Sequence, residues 1–266
     1  MENEILSHIP PHCPWTHSLL VYPSLDSTNT KLKDLARSGA PEGTVVVARS
    51  QTAGRGRLGR SFHSPAHHGI YFSLLLRPNC TAPQLMHLTC AAGVAVCNAV
   101  EAVTGFRPGI KWINDLVAGN KKVGGILTEL SLSPSGSVDY AIIGIGINCS
   151  HRPEDFPPEL RDIATSLLEH TGTPCDQSKL IAMLISQLYT ISQTLLTGKK
   201  QILDSYRKDC ITLGKDIQVI NGTQRRSATA LDILEDGQLL VRYCNGVLDA
   251  VESGEVSIRG SYGYIS

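Results

Sequence analysis

Chemistry is most concentrated in Gln51-Thr-Ala-Gly-Arg-Gly-Arg-Leu-Gly-Arg60, where Arg55, Arg57 and Arg60 alternate with Gly54, Gly56 and Gly59, and Arg49 stands just before. Glycine lets a backbone approach a ligand closely and offers its N–H groups. Arginine supplies forked donors for carboxylate or phosphate. A solvated surface turn has the same composition, but an anion-binding flap uses it better. A second cluster is Lys111-Trp-Ile-Asn-Asp115, followed by Lys121-Lys122-Val-Gly-Gly125. Asn114 and Asp115 at a strand end suit a magnesium ion shared with substrate phosphates. A lysine beside a glycine pair reaches a carboxylate or phosphoryl oxygen as a point charge. The same residues also read as an ordinary hairpin turn.

Two quieter segments complete the set. Gly144-Ile-Gly-Ile-Asn148 puts alternate glycines in an apolar strand, which points to close approach by a ligand or to packing against another backbone. Asp26-Ser-Thr-Asn29 is a good helix N-cap. Gly54, Gly56 and Gly59 form a literal G-x-G-x-x-G, yet no helix opens there and no acid follows in Leu74–Cys80, so the dinucleotide-binding reading fails on context. No Walker-type Gly-Lys-Ser/Thr occurs. His63, His67 and His68 lack a Cys or acid at ligand spacing and read as loop histidines.

These segments need elements to hold them. Strands are expected at 17–22, 44–48, 70–76, 110–113, 123–130 and 140–147, the last apolar enough to be buried on both faces. Helices are expected at 28–38, 84–103, 178–196 and 201–210. From Leu213 onward only short strands separated by Asn-Gly, Asp-Gly and Ser-Gly turns are legible, which suggests a small barrel. The expected organisation is an α+β domain over 1–212 followed by a small all-β domain over 213–266. A length of 266 residues allows one large domain with a small appendage, at roughly 100–200 residues per domain.

The 24 basic and 24 acidic side chains cancel. A general nucleic-acid or anionic-membrane binder needs a surplus of Lys and Arg, so that class is excluded. The N-terminus has neither the basic nor the apolar region of a signal peptide. The longest apolar stretch, Cys90 to Val103, is broken by Asn98 and Glu101 and suits a buried helix rather than a membrane span. Eight scattered cysteines with no C-x-x-C pair fit reduced thiols in a cytoplasm.

In this order the segments resemble the biotin protein ligase family (biotin–[acetyl-CoA-carboxylase] ligase). The resemblance is carried by Asp26–Asn29; by Gln51, Gly54–Arg57, Gly59, Arg60, Ser64 and Pro65; and by Lys111, Trp112, Asn114 and Asp115. It continues through Lys122, Gly124–Leu127, Glu129, Gly144 and Gly146–Asn148, and through 253–259 near the end. It implies a mixed sheet with helices, like that of the class II aminoacyl-tRNA synthetases and biotin ligases, then a small SH3-like β-barrel. It also implies a two-step reaction: biotin and MgATP give biotinyl-5′-AMP, and biotin then passes to a lysine of a carboxyl carrier protein.

By the same resemblance, Lys122 and Arg57 are catalytic. Ser27, Thr28, Asn29, Gln51, Gly54, Arg55, Gly56, Arg57, Lys122, Gly125, Gly144 and Gly146 bind biotin. Arg57, Arg60, Phe62, Lys111, Trp112, Asn114, Lys122 and Asn148 serve ATP, and Asp115 serves magnesium. No tightly bound prosthetic group, membrane or DNA is implied. Only 25 residues precede Asp26, too few for the DNA-binding domain of repressor-type members; a homodimer is left open. Phe62, Ile113 and Gly124 stand where Trp, Pro and Ala are common in the family. The rival readings are a lipoate or octanoate ligase and a non-catalytic biotin-sensing regulator.

Overall fold

The structure, a computed structural model, describes residues 1–252 and the strand at 257–260. Its elements run β1 (Leu19–Tyr22) after α1 (Glu2–His8), then α2 (Thr28–Arg37), β2 (Val45–Ala48), β3 (Gly69–Leu76), α3 (Leu88–Thr104), β4 (Gly109–Lys111), β5 (Asp115–Ala118), β6 (Lys121–Leu132) and β7 (Val138–Asn148). They continue with α4 (Leu167–Thr171), α5 (Gln177–Thr194), α6 (Lys199–Asp209), β8 (Asp216–Asn221), β9 (Gln224–Ile233), β10 (Leu239–Tyr243), β11 (Leu248–Val251) and β12 (Ser257–Gly260). The first seven strands form one sheet in the order β1-β2-β3-β7-β6-β5-β4, with β1 and β2 parallel and every other pair antiparallel. The last five form an antiparallel sheet, β11-β10-β9-β8-β12. This is the α+β architecture expected from the sequence, with a second antiparallel sheet where the SH3-like unit was placed. Of the matching segment at 253–259, residues 253–256 lie outside the described residues, and only the backbone of 257–259, in β12, is described.

The large sheet is covered on both faces, and strand periodicity decides what each face carries. Ala141, Ile143, Ile145 and Ile147 of β7 join the main core, together with Phe72 and Leu74 of β3 and most of α3. The helical stretch Ala82–Thr104, which ends in α3, has length and apolar character enough to cross a membrane, but α3 packs against the sheet, α5 and α6. Tyr140 and Ile142 face the other way, into a smaller core with Leu32 and Ala36 of α2. Each fully buried aliphatic side chain of this kind contributes about 1.5–3 kcal/mol. Further along that second face β7 carries Gly144 and Gly146, and the apolar cover gives way to a cavity.

The second sheet is tied to the rest of the chain by polar contacts, buried at Trp112 and more exposed along α6. Trp112 Nε1 donates to the Gly237 carbonyl at 2.9 Å, and the Trp112 N–H donates to Thr212 Oγ1 at 2.9 Å. Lys199 pairs with Asp236 at 2.7 Å, and Arg207 of α6 bonds Asp232 and the Ile233 carbonyl. Gly237 sits at φ +78, and a Cβ there would lie 3.1 Å from Cys90 Sγ, so the turn needs glycine for conformation and for space.

Candidate active site

The cavity floor consists of two rows of cross-strand neighbours. Ser73, Gly144 and Leu127 pair across β3, β7 and β6, while Tyr71, Gly146, Gly125 and Asp115 pair across β3, β7, β6 and β5. The glycines are required by what lies over them. A Cβ on Gly144 would be 2.2 Å from Asn29 Oδ1, one on Gly146 2.6 Å from the Phe62 ring, and one on Gly125 3.2 Å from Lys122 Nζ. Bare backbone therefore seats Asn29, Phe62 and Lys122 on one floor.

The first row carries neutral groups. Gln51 Oε1 accepts from the Thr28 N–H (2.8 Å) and the Thr28 hydroxyl (3.2 Å), while Gln51 Nε2 donates to Ser64 Oγ at 3.0 Å. The fully buried Ser73 hydroxyl lies 2.8 Å from Thr28 Oγ1 and 2.6 Å from Asn29 Oδ1. Asn29 Nδ2 donates to Glu129 Oε2 (2.8 Å) and to the Leu127 carbonyl (3.3 Å). Ser27 occupies the N-cap of α2, yet its hydroxyl makes no capping bond and the residue lines the cavity. An N-cap serine ordinarily spends its oxygen on the helix; this one does not, so 26–29 is an N-cap by position without the side-chain capping bond expected of it.

The second row is charged. Lys122 Nζ lies 2.5 Å from Asp115 Oδ1. Arg57 Nη1 donates to Asn114 Oδ1 at 3.0 Å, and Asn114 Nδ2 donates to the Ile126 carbonyl at 3.0 Å. Burial pulls the Arg57 guanidinium down from its ordinary pKa, Asp115 opposes this and Arg60 adds to it. Lys111 is buried in the wall beside Trp112. The backbone of Lys122 is clamped to the segment after β7, its N–H donating to the Ile163 carbonyl and its C=O accepting from Thr165, both at 2.8 Å.

Between the rows the glycine–arginine segment forms a short hairpin. Phe62 N–H bonds the Gly54 carbonyl at 2.9 Å, Gly56 N–H bonds the Arg60 carbonyl at 2.7 Å, and Leu58 at its tip takes φ 54. That left-handed conformation costs a non-glycine residue roughly 1–2 kcal/mol. Arg55 reaches Glu129 with one nitrogen 3.3 Å from Oε2 and the other 3.2 Å from Oε1. Burial raises the Glu129 pKa, but hydrogen bonds from Lys33 and Asn29, with the charges of Lys33 and Arg55, outweigh it and hold the carboxyl below its usual range.

Residues 21–148 match the model of the Biotin/lipoate A/B protein ligase family. The chain is 38% identical over 235 residues to the Bifunctional ligase/repressor BirA of Bacillus subtilis, covering 86% of this chain and 70% of that one. It is 32% identical over 236 residues to the Biotin–[acetyl-CoA-carboxylase] ligase of Mycobacterium tuberculosis, covering 86% and 85%. The chain belongs to the biotin/lipoate A/B protein ligase family. Among solved structures, the biotin protein ligase from Aquifex aeolicus in complex with biotin and ATP is similar with a TM-score of 0.76 at 31% identity, over 92% of this chain and 100% of that one.

In this family member the residues assigned by resemblance converge almost completely. Ser27, Thr28, Asn29, Gln51, Arg55, Gly56, Arg57, Arg60, Phe62, Lys111, Trp112, Asn114, Asp115, Lys122, Gly125, Gly144 and Gly146 all line the one cavity. Gly54 and Asn148 do not. A Cβ at Gly54 would fall 2.4 Å from the Phe62 carbonyl and 2.6 Å from Ser64 Oγ, so its glycine serves the hairpin's own closure. Asn148 is buried and donates to the Thr165 carbonyl at 2.9 Å, which supports the segment behind Lys122 rather than the cavity surface. Arg55, read as a cation for an incoming anion, lines the cavity and pairs with Glu129, a carboxylate that it shares with Lys33.

Ser73 was not singled out from sequence, although a lone serine inside the apolar run GIYFSLLL was its signal. A buried hydroxyl requires a partner, and here it has two. Glu129 stood in the matching motif without a role.

Proposed function

We propose that this chain is a biotin–protein ligase that activates biotin with ATP to biotinyl-5′-AMP, releasing pyrophosphate, and passes the biotinyl group to a lysine of the biotin carboxyl carrier domain of acetyl-CoA carboxylase. The observation that carries this is the pairing of a neutral hydrogen-bonding row with a charged row on one glycine floor. A bicyclic urea is neutral and rich in hydrogen-bonding groups, whereas a carboxylate and a triphosphate repel each other and need fixed cations to meet.

In this reading the urea ring lies over Gly144 against Ser27, Thr28, Asn29 and Gln51. Asn29 Nδ2 is committed to Glu129 and Leu127, so Asn29 offers the ring an acceptor. The biotin carboxylate lies toward Lys122, where an anion competes with Asp115 for the ammonium group. One carboxylate oxygen attacks the α-phosphorus, the bond to pyrophosphate breaks, and Arg57, Arg60 and Lys111 meet the charge on the phosphates. Phe62, lying over Gly146 and edge-on to Tyr71 at 6.4 Å, joins Trp112 as apolar surface for the base. Transfer then needs only the amine of the carrier lysine to attack the acyl carbon, with AMP leaving and Lys122 facing the developing oxyanion.

Asp115 is the carboxylate placed to hold Mg2+. A single carboxylate suits an ion that takes its remaining ligands from phosphates and water, and no group of three or more His, Cys, Asp or Glu that could hold a metal occurs among the described residues. Bound there, the ion would neutralise phosphate charge. The catalytic unit is assigned to 1–212 and the small β unit to 213–266. A cytoplasmic setting fits the eight free cysteines.

The test is incubation with ATP and biotin or lipoate, with adenylates read by mass spectrometry. Biotinyl-AMP should form, and Lys122→Ala should reduce its rate about 10²–10³-fold, the cost of removing one oxyanion donor. Lipoyl-AMP without biotinyl-AMP would overturn the reading.

A further inference from the structure

The two arginines that flank Gly56 are held in different ways. Arg57 leans on Asn114, a neutral amide that a phosphate outcompetes without leaving a buried charge behind. Arg55 donates one charge-assisted hydrogen bond to Glu129, Nη1 to Oε2 at 3.3 Å, and its Nη2 lies at ion-pair distance from Oε1, 3.2 Å. Glu129 is itself mostly buried, with a side chain 17% exposed, and is fixed by two further donors from α2: Lys33 Nζ at 2.6 Å and Asn29 Nδ2 at 2.8 Å. One carboxylate on β6 thus gathers the hairpin, the helix and the wall of the neutral row. Lys33 and Arg55 both stand against it, so one carboxylate is shared between a helix cation and a hairpin cation and ties the two elements together.

We propose that Glu129 is a positioning residue: it fastens the Arg55 end of the hairpin across the cavity and, through Asn29, sets the neutral wall, so that it governs how long the acyl-adenylate is retained before transfer. The inference rests on the ligase reading above. On this assignment Arg55 is a tether, and the chemistry on the phosphate side is left to Arg57. Retention matters because a mixed anhydride that escapes acylates any amine it meets, and a hairpin fastened on the side away from the phosphates can hold it while leaving them reachable.

The experiment preforms the biotinyl-AMP complex of the full chain and measures adenylate dissociation in Glu129→Gln, Arg55→Gln and the double variant. Glu129→Gln keeps the size and an acceptor for Asn29 but removes the charge facing Arg55. Each single variant should release adenylate about 10- to 100-fold faster, the worth of a charge-assisted pair. The double variant should release it no faster than the quicker single, because both remove one contact. Amide exchange of residues 54–62 should rise equally in all three.

A purely structural role predicts additive effects that track a fall in melting temperature, and additive effects would overturn the proposal. Unchanged dissociation in Arg55→Gln would also overturn it. Arg55 lies on an exposed hairpin, so that variant remains informative if Glu129→Gln folds poorly. Should the wild-type chain make no biotinyl-AMP, the ligase reading fails, while exchange at 54–62 still reports whether the tether exists.

Discussion

The two rows of the cavity floor are both built on bare glycine backbone, Gly144 in one and Gly125 with Gly146 in the other, and differ in how their polar groups are satisfied. In the neutral row Thr28, Asn29, Gln51, Ser64 and Ser73 bond one another in a continuous network, anchored outside it where Asn29 donates to Glu129 and the Leu127 carbonyl and Ser64 to the Phe62 carbonyl. In the charged row Lys122 is held by Asp115 and Arg57 by Asn114, partners that an anionic ligand would displace. A preorganised neutral network selects a shape at little reorganisation cost. Paired charges keep the second row stable until a ligand of opposite sign takes over one partner. Recognition and reaction therefore use adjacent strips of one sheet with different physical logic.

That contrast can be broken experimentally. The largest effect is expected from Arg57→Gly, which removes the charged row's link to the hairpin and its phosphate donor. Adenylate should leave on the order of 10²-fold faster and label lysines indiscriminately, with biotin affinity changed far less; unaltered adenylate retention would erase the division between the rows.

Next comes acid. Burial, with the charges of His68 and His63 adding and Asp155 opposing, lowers the His151 pKa from 6.5 to about 4. The imidazole is fully buried and stacked on Phe156, its rings neighbouring those of His63 and His68. A depressed folded-state pKa means that the unfolded chain binds the extra proton first. Stability therefore falls as pH drops from 6.5 to 4, by up to about 3 kcal/mol. His151 opens the segment that clamps the Lys122 backbone, so the charged row should loosen first. Denaturation of His151→Asn across this range should show a shallower pH slope; an identical slope refutes the assignment.

Gly144→Ala attacks the neutral row alone. A methyl group 2.2 Å from Asn29 Oδ1 must displace a side chain held by Ser73, Glu129 and Leu127. Overpacking of this kind costs about 1–3 kcal/mol, and biotin binding by calorimetry should weaken at least about tenfold. Equal binding would mean that the head group does not lie there. The smallest effect is expected from Trp112→Phe, which deletes one buried hydrogen bond to the second sheet and should cost about 1 kcal/mol in urea denaturation.

Much of this could be read in the chain before any coordinates. The β-branched run TVVVA marked β2, apolar runs marked β3 and β7, and the alternate glycines marked the cavity floor. Shorter elements escaped. β5 spans only Asp115–Ala118 and begins inside an Asn-Asp pair that mimics a turn. α1 is followed by Pro10 and Pro11, which read as irregular chain, and α4 covers only Leu167–Thr171. The helix expected from Gln84 divides, a 3-10 turn at Ala82–Leu85 preceding α3 at Leu88–Thr104. The glycine–arginine segment was legible as a flap, but not the hydrogen-bonded hairpin that gives it its form. The partner of Arg55 was illegible for a different reason. Arg55 and Glu129 are 74 positions apart, and only the order and register of β3, β7 and β6 bring them together.

The bond from Trp112 to the second sheet ends on the carbonyl of Gly237, a group common to every amino acid. Replacing the residue that bears the acceptor cannot delete it; only bending the turn can. A link of this kind leaves no trace as a pair of residues changing together among relatives. It joins the backbone of a turn in the second sheet directly to an indole that borders the cavity. A comparison of the two sheets that looks only at side-chain pairs such as Lys199–Asp236 would miss this bond.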